Sequence, residues 1–203
     1  AGDARRGRAP RGPGGLRAAR QPDVGANEGF ALEMKAEMVI LVDGNDNETG
    51  VAEKLETHLS GRLHRAISVF IFNTAGQWLI QKRAANKYHS AGLWTNACCS
   101  HPRPGEETIF AAHRRLREEM GVASKLAPAF SFAYRTELEN GLVEHELDHV
   151  FIGHSDAVPQ PNPDEVSEWK YISTEELAGQ LANSPMDFTA WFRIVFSRVR
   201  ESA

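Results

Sequence analysis

Apolar and polar positions change rhythm several times along this chain, and each change predicts an element. MVILVD (38–43) is a short apolar run that stops at DGNDNETG, which reads as a strand followed by a loop. AISVFIFN (66–73) and QWLIQKR (77–83) flank Thr74-Ala75-Gly76 and read as a hairpin, and LWTNACCS (93–100) is a further strand candidate. Over residues 107–120, Ile109, Ala112, Leu116 and Met120 recur at helical spacing, and Gly121 stands where a helix would stop. AFSFAYRTEL (129–138) and LVEHELDHVFIG (142–153) meet at Asn140-Gly141, a strong hairpin turn signal. TEELAGQLA (174–182) and MDFTAWFRIVFSRVRE (186–201) read as two terminal helices. The sum is a single α+β domain over residues 35–203, a mixed or antiparallel sheet with helices packed on it. Residues 1–34 show no apolar periodicity and are rich in Gly, Ala, Arg and Pro, so a disordered basic tail is expected there. That tail lacks Ser and no amphipathic helix can be drawn in it, so it reads as an extension or an upstream start rather than a targeting segment.

Composition narrows the class. Of the 203 residues, 41% are hydrophobic and 25% charged, a soluble globular balance, and no apolar run approaches the ~20 residues that span a bilayer. The formal charge of −4 is uneven: residues 1–22 hold six arginines and one acid, leaving an acidic body. That body argues against a nucleic-acid groove, although local basic clusters could still take a small anion. The two cysteines, Cys98 and Cys99, are adjacent, and the strain of a disulfide between neighbours leaves both as thiols. Free thiols point to a reducing, cytoplasmic setting.

Side chains two apart on a strand share a face, so Glu144 and Glu146 point one way, as do Cys99 and His101. His58 and His64 stand in HLSGRLH, just before a predicted strand. Imidazoles with carboxylates suit Mn²⁺, Mg²⁺, Fe²⁺ or Zn²⁺. His89, His113, His145, His149 and His154 have no such pattern and read as surface or core residues. Lys54, Arg83, Lys87 and Arg115 could neutralise a diphosphate, and Trp191 falls on the apolar stripe of the last helix with Phe188 and Phe192.

The stretch from Ser100 to Val122, with Glu106 and RRLREEMGV, resembles a Nudix box, whose acids hold a divalent cation against a diphosphate. It departs from that box at Ser100, where a Gly is expected, and at Arg115, where a Glu is expected. The loss of that acid favours a Nudix scaffold without Nudix hydrolysis. With EKLETHLSGRLHRAISVFIFN, QKRAANKYHSAGLWTNACCSHP and YRTELENGLVEHELDHVF, the chain from about Met38 to about Arg198 resembles the type I isopentenyl-diphosphate isomerases. The combination TN-x-x-C-x-HP with a downstream E-x-E is the specific part.

The resemblance implies a Nudix-like mixed sheet and a reaction interconverting isopentenyl and dimethylallyl diphosphate; composition argues against a nucleic-acid or membrane partner, and monomer and homodimer both stay open. It implies Cys99 and Glu146 as the acid/base pair, Tyr134 beside that Glu, and Trp191 facing the alkene. It further implies an Mn²⁺ or Mg²⁺ ion (Zn²⁺ as a variant) on His58, His64, His101, Glu144 and Glu146. A second Mg²⁺ would lie between Glu119 and the diphosphate, which Lys54, Arg83, Lys87, Ser100 and Arg115 would contact. Two readings compete with it: a Nudix-type diphosphate hydrolase, and a non-catalytic metal or thiol sensor on the same scaffold.

Overall fold

A computed structural model describes residues 37–202; the expected basic tail, residues 1–34, lies outside them. The described residues form nine strands and four α-helices. The strands are β1 (Met38–Val42), β2 (Glu48–Glu53), β3 (His64–Phe72), β4 (Trp78–Arg83), β5 (Trp94–Thr95), β6 (Cys98–Ser100), β7 (Leu126–Glu137), β8 (Val143–His154) and β9 (Val166–Ile172). The helices are α1 (Lys54–Ser60), α2 (Thr108–Met120), α3 (Thr174–Asn183) and α4 (Ala190–Ser202).

Strand β3 is the spine. It is buried along almost its whole length, as its run ISVFIF, apolar but for Ser68, suits in a strand covered on both faces. It pairs in parallel with β8 from His64↔Glu146 to Phe72↔His154, and antiparallel with β1, β4 and β6. The sheet is therefore mixed. One face carries α2 over an apolar cluster that includes Ile67, Val69, Cys98, Leu116 and Met120. The other carries α3 and α4, with Phe70, Trp78, Leu177, Trp191 and Phe192 packed together. Both hairpins exist: Ile71↔Leu79 and Phe72↔Trp78 join β3 to β4, and β7 runs along β8 from Leu126 to Glu137. At the second turn Asn140 and Gly141 take φ of 61° and 72°, the left-handed values that Asn-Gly tolerates.

Several elements differ from the sequence reading. LWTNACCS is not one strand; β5 and β6 are separated at Asn96-Ala97, where the Asn96 amide caps backbone carbonyls. ETGVAE pairs with β1 as β2 instead of remaining a loop. The last helix starts at Ala190 rather than Met186, after a 3₁₀ turn over Pro185–Asp187. Helix α1 and strand β9 lie outside the elements that periodicity indicated. Gly121 ends α2 at φ 64°, and a Cβ there would lie 2.6 Å from the Gln160 carbonyl oxygen, so the position requires glycine twice over. That close approach holds the loop before β9 against the end of α2, with Asn162 N donating to Glu119 O at 2.9 Å.

Candidate active site

Helix α1 carries His58 and β3 opens with His64. The His58 Nδ1 lies 2.6 Å from the Lys54 carbonyl, and the His64 Nδ1 lies 2.9 Å from the Arg62 carbonyl. Each of those nitrogens must carry its proton, so each Nε2 presents a lone pair inward. The His58 Nε2 is buried without a partner. The parallel register sets Glu146 beside His64, and the short β6 delivers His101 to the same point. His64 Nε2 and His101 Nε2 are 3.2 Å apart, and Glu146 Oε1 is 3.0 Å from the latter and 3.6 Å from the former. One donor atom from each of His58, His64, His101 and Glu146 lies within 4.8 Å of the others. Two ligands at right angles on bonds of ~2.1 Å stand roughly 3 Å apart, so this donor set fits a divalent cation. Burial holds His101 down to about 4, against the pull of Glu146, which keeps that imidazole neutral at pH 7.

Glu144 stands next to this group rather than inside it. Its carboxylate shares a second donor set with His58 and His89. Tyr134 links the two acids, its hydroxyl 2.6 Å from Glu146 Oε2 and 3.0 Å from Glu144 Oε2. Burial and the neighbouring Glu146 charge push Glu144 well up, while contact with the His101 and His64 imidazoles overcomes burial and holds Glu146 well down. The pair thus shares one negative charge, centred on Glu146.

The adjacent cysteines separate by face. Cys98 is fully buried under α2, its thiol donating to Glu119 Oε1 at 3.4 Å. Cys99 lines the pocket on the opposite face, donating to Asn96 Oδ1 at 2.9 Å. Asn96 can offer that oxygen because its Nδ2 is committed to the Val69 and Cys98 carbonyls. Ser68 Oγ lies 3.3 Å from the Cys99 sulfur and donates to Asp148 Oδ2 at 2.7 Å. Burial, reinforced by the Asp148 charge, raises the Cys99 thiol well above its ordinary range. Trp191 is 3% exposed; its Nε1 donates to Thr95 Oγ1 at 2.9 Å and its ring carries the Arg83 guanidinium 5.4 Å away.

Cations line the same pocket. Arg115 reaches Glu119 Oε1 at 2.7 Å and Glu165 Oε1 at 3.2 Å, Lys87 pairs with Glu165, and Lys54 pairs with Glu37 at 3.0 Å. One pocket is lined by Lys54, Arg83, Lys87, Cys99, Ser100, His101, Arg115, Glu119, Glu144, Glu146 and Trp191 together.

Residues 62–192 match the family model of the NUDIX domain. The chain is 58% identical over 161 residues to an isopentenyl-diphosphate Delta-isomerase of Pectobacterium atrosepticum, spanning 79% of this chain and 90% of the relative. It is 55% identical over 163 residues to isopentenyl-diphosphate Delta-isomerase 1 of Aromatoleum aromaticum, at 80% and 92% coverage. The chain belongs to the isopentenyl-diphosphate Delta-isomerase family. Among solved structures, DR0079 of Deinococcus radiodurans superposes with a TM-score of 0.61 at 22% identity, over 73% of this chain and 90% of that one. At that identity the likeness speaks to the Nudix fold alone.

Within this isomerase-family chain, most of the residues singled out in the sequence line the pocket; His58, His64 and Tyr134 stand outside its lining. Sequence reasoning passed over His89, which is 6% exposed, lines the pocket and stands 3.9 Å from Glu144. It also passed over Glu165, Ser68 and Asp148. The alternation rule extends to Asp148, two residues beyond Glu146 on the same face, and was the one signal that could have found it.

Proposed function

We propose that this chain interconverts isopentenyl and dimethylallyl diphosphate, adding a proton at one carbon of the allylic unit and removing one from another. The observation that carries the reading is the convergence of Cys99 and Glu146 in one pocket with Trp191 and a ring of cations. In this reading Cys99 and Glu146 are the acid/base pair, each giving or taking a proton according to direction. Tyr134, hydrogen-bonded to Glu146, fixes that carboxylate and stabilises its charged form. Protonating an unactivated alkene develops tertiary cation character, which water would trap as an alcohol, so the buried Trp191 has two duties. It excludes water, and its face stabilises the cation without attacking it, by about 0.5–2 kcal/mol.

His58, His64, His101 and Glu146, with Glu144 standing beside them, would hold an Mn²⁺ or Mg²⁺ ion, with Zn²⁺ as a variant, and Glu119 would hold a second Mg²⁺ beside the diphosphate. Such ions, when bound, fix the Glu146 carboxylate, shift its proton affinity and neutralise phosphate charge. Lys54, Arg83, Lys87, Ser100 and Arg115 anchor the diphosphate, and that binding energy orients a five-carbon tail with no polar handle of its own. Both thiols are free, which supports a reducing, cytoplasmic setting, and the working unit would be a monomer or homodimer.

The test is incubation with isopentenyl diphosphate and Mg²⁺ in deuterated buffer. Deuterium entering both isomers, and stopping on chelation, is the expected result; no exchange into either isomer sinks the proposal. Inorganic phosphate release without isomerisation would favour a hydrolase instead.

A further inference from the structure

Three of the four cations assigned to the diphosphate already have carboxylate partners. Lys54 meets Glu37, Lys87 meets Glu165, and Arg115 meets Glu118, Glu119 and Glu165. Arg83 has no acidic partner among the described residues; its Nη2 donates to the His89 carbonyl at 3.1 Å and its Nε is buried without one. Glu165 differs from the other acids in its position. Its side chain is only 20% exposed, and it spans two cations from separate segments, the loop after β4 and helix α2. Glu119 also meets Arg115, but it is 4% exposed and tied to Gln81 at 3.2 Å, deeper than an entering anion would reach first.

The Glu165 backbone is held independently of its carboxylate. Its carbonyl accepts from Ala84 N at 2.9 Å and its own N–H donates to Asn162 O at 3.0 Å. The side chain can therefore leave Lys87 and Arg115 while the loop stays in place.

We propose that Glu165 is the resident counter-ion of the diphosphate clamp and a specificity-determining residue, displaced from Lys87 and Arg115 when two linked phosphoryl groups enter. This rests on the diphosphate reading above and deepens it. Clustered cations in a partly buried pocket repel one another, and a nearby carboxylate relieves that repulsion. Being tethered, it competes at a high effective concentration with any free anion. Two linked phosphoryl groups offer enough oxygens to satisfy both cations at once, including a bidentate contact to Arg115, whereas one offers fewer. Glu165 thus sets a threshold that a diphosphate clears more readily than a monophosphate.

Calorimetric titration of the metal-loaded protein with inorganic pyrophosphate and with inorganic phosphate, without added divalent cation, tests this on the wild type and on Glu165→Gln. The substitution keeps the shape and the backbone bonds while removing the charge. Pyrophosphate should bind about 3–10-fold tighter to the variant, and phosphate should gain more, so the gap between the two ligands narrows. Unchanged or weaker pyrophosphate binding, or an undiminished gap, would overturn the proposal and make Glu165 an aligner of Lys87 and Arg115. Wild-type protein that binds no pyrophosphate would instead bring down the diphosphate reading itself, a separately visible result.

Discussion

The His/Glu cluster and the Arg/Lys cluster share one pocket but are satisfied in opposite ways. Around His58, His64, His101 and Glu146, lone pairs converge, and the His58 Nε2 has no donor to meet. Around Lys87 and Arg115, every charge has a carboxylate beside it. Donor-free lone pairs suit a cation held tightly and permanently, since a buried acceptor without a partner costs about 1–3 kcal/mol. Pre-paired cations suit an anion that must come and go, because leaving them re-forms an existing ion pair. The adjacent cysteines divide along the same line: Cys99 stands in the sheet face that carries His101, and Cys98 touches Glu119.

The division shows most sharply at the cysteines. Cys99→Ala should lower turnover on the order of 10²–10⁴-fold. Cys98→Ala should keep turnover within a few-fold and cost about 1 kcal/mol of stability from the lost packing. Steady-state isomerisation and urea melts of both variants check this, and equal losses of activity would refute the division of faces. Next in size, His64→Ala should lose bound metal by elemental analysis and melt earlier than wild type, because it leaves Glu146 buried with one partner fewer. Arg115→Ala, in contrast, should keep its metal while raising KM roughly 10–100-fold, since it removes two charge-assisted contacts to the anion. Metal loss in that variant would show that the two clusters are one.

A smaller effect concerns pH. Burial, with the Glu146 charge beside it, raises Asp148 to about 8, whereas the unfolded chain ionises it near 4. His89 is held down to about 2 by burial, so above pH 6.5 it is largely neutral in both states and adds little slope. Between pH 6.5 and 8 the folded chain therefore keeps a proton on Asp148 that the unfolded chain has lost. Stability should fall as pH rises through that window, Glu144 adding to the slope in the same direction; the Asp148 share is up to ~1.4 kcal/mol per unit, and Asp148→Asn should remove that share in urea titrations.

How much of this was legible in the sequence depends on what kind of signal each residue gives. The E-x-E and C-x-H spacings state a shared face outright, because alternation is a property of any strand. The strand run ISVFIF and the Asn140-Gly141 turn are equally local. Helix α1 was not readable in this way. It is seven residues long, too short for a periodic stripe, and stands on a Glu53 cap and the left-handed Gly61. Strand β9, VSEWKYI, alternates weakly because it pairs with β4 as a partly exposed edge. His89 and Glu165 acquire meaning only from residues far away in the chain. Glu165 is one acid in a Pro-rich loop until Gly121 brings that loop against α2.

The parallel pairing of β3 with β8 also governs when the molecule becomes competent. Residues of the two strands that touch, such as Ser68 and Asp148, are 80 apart in sequence. Such contacts close a long loop before they return any energy, so they form late in folding. His64 and Glu146 face each other through that same register, and a slip of one residue would turn Glu144, Glu146 and Asp148 to the opposite side of the sheet. An ion gripping His64 and Glu146 together would act as a register lock. It would select the correctly threaded sheet from its one-off neighbours at the last step of folding.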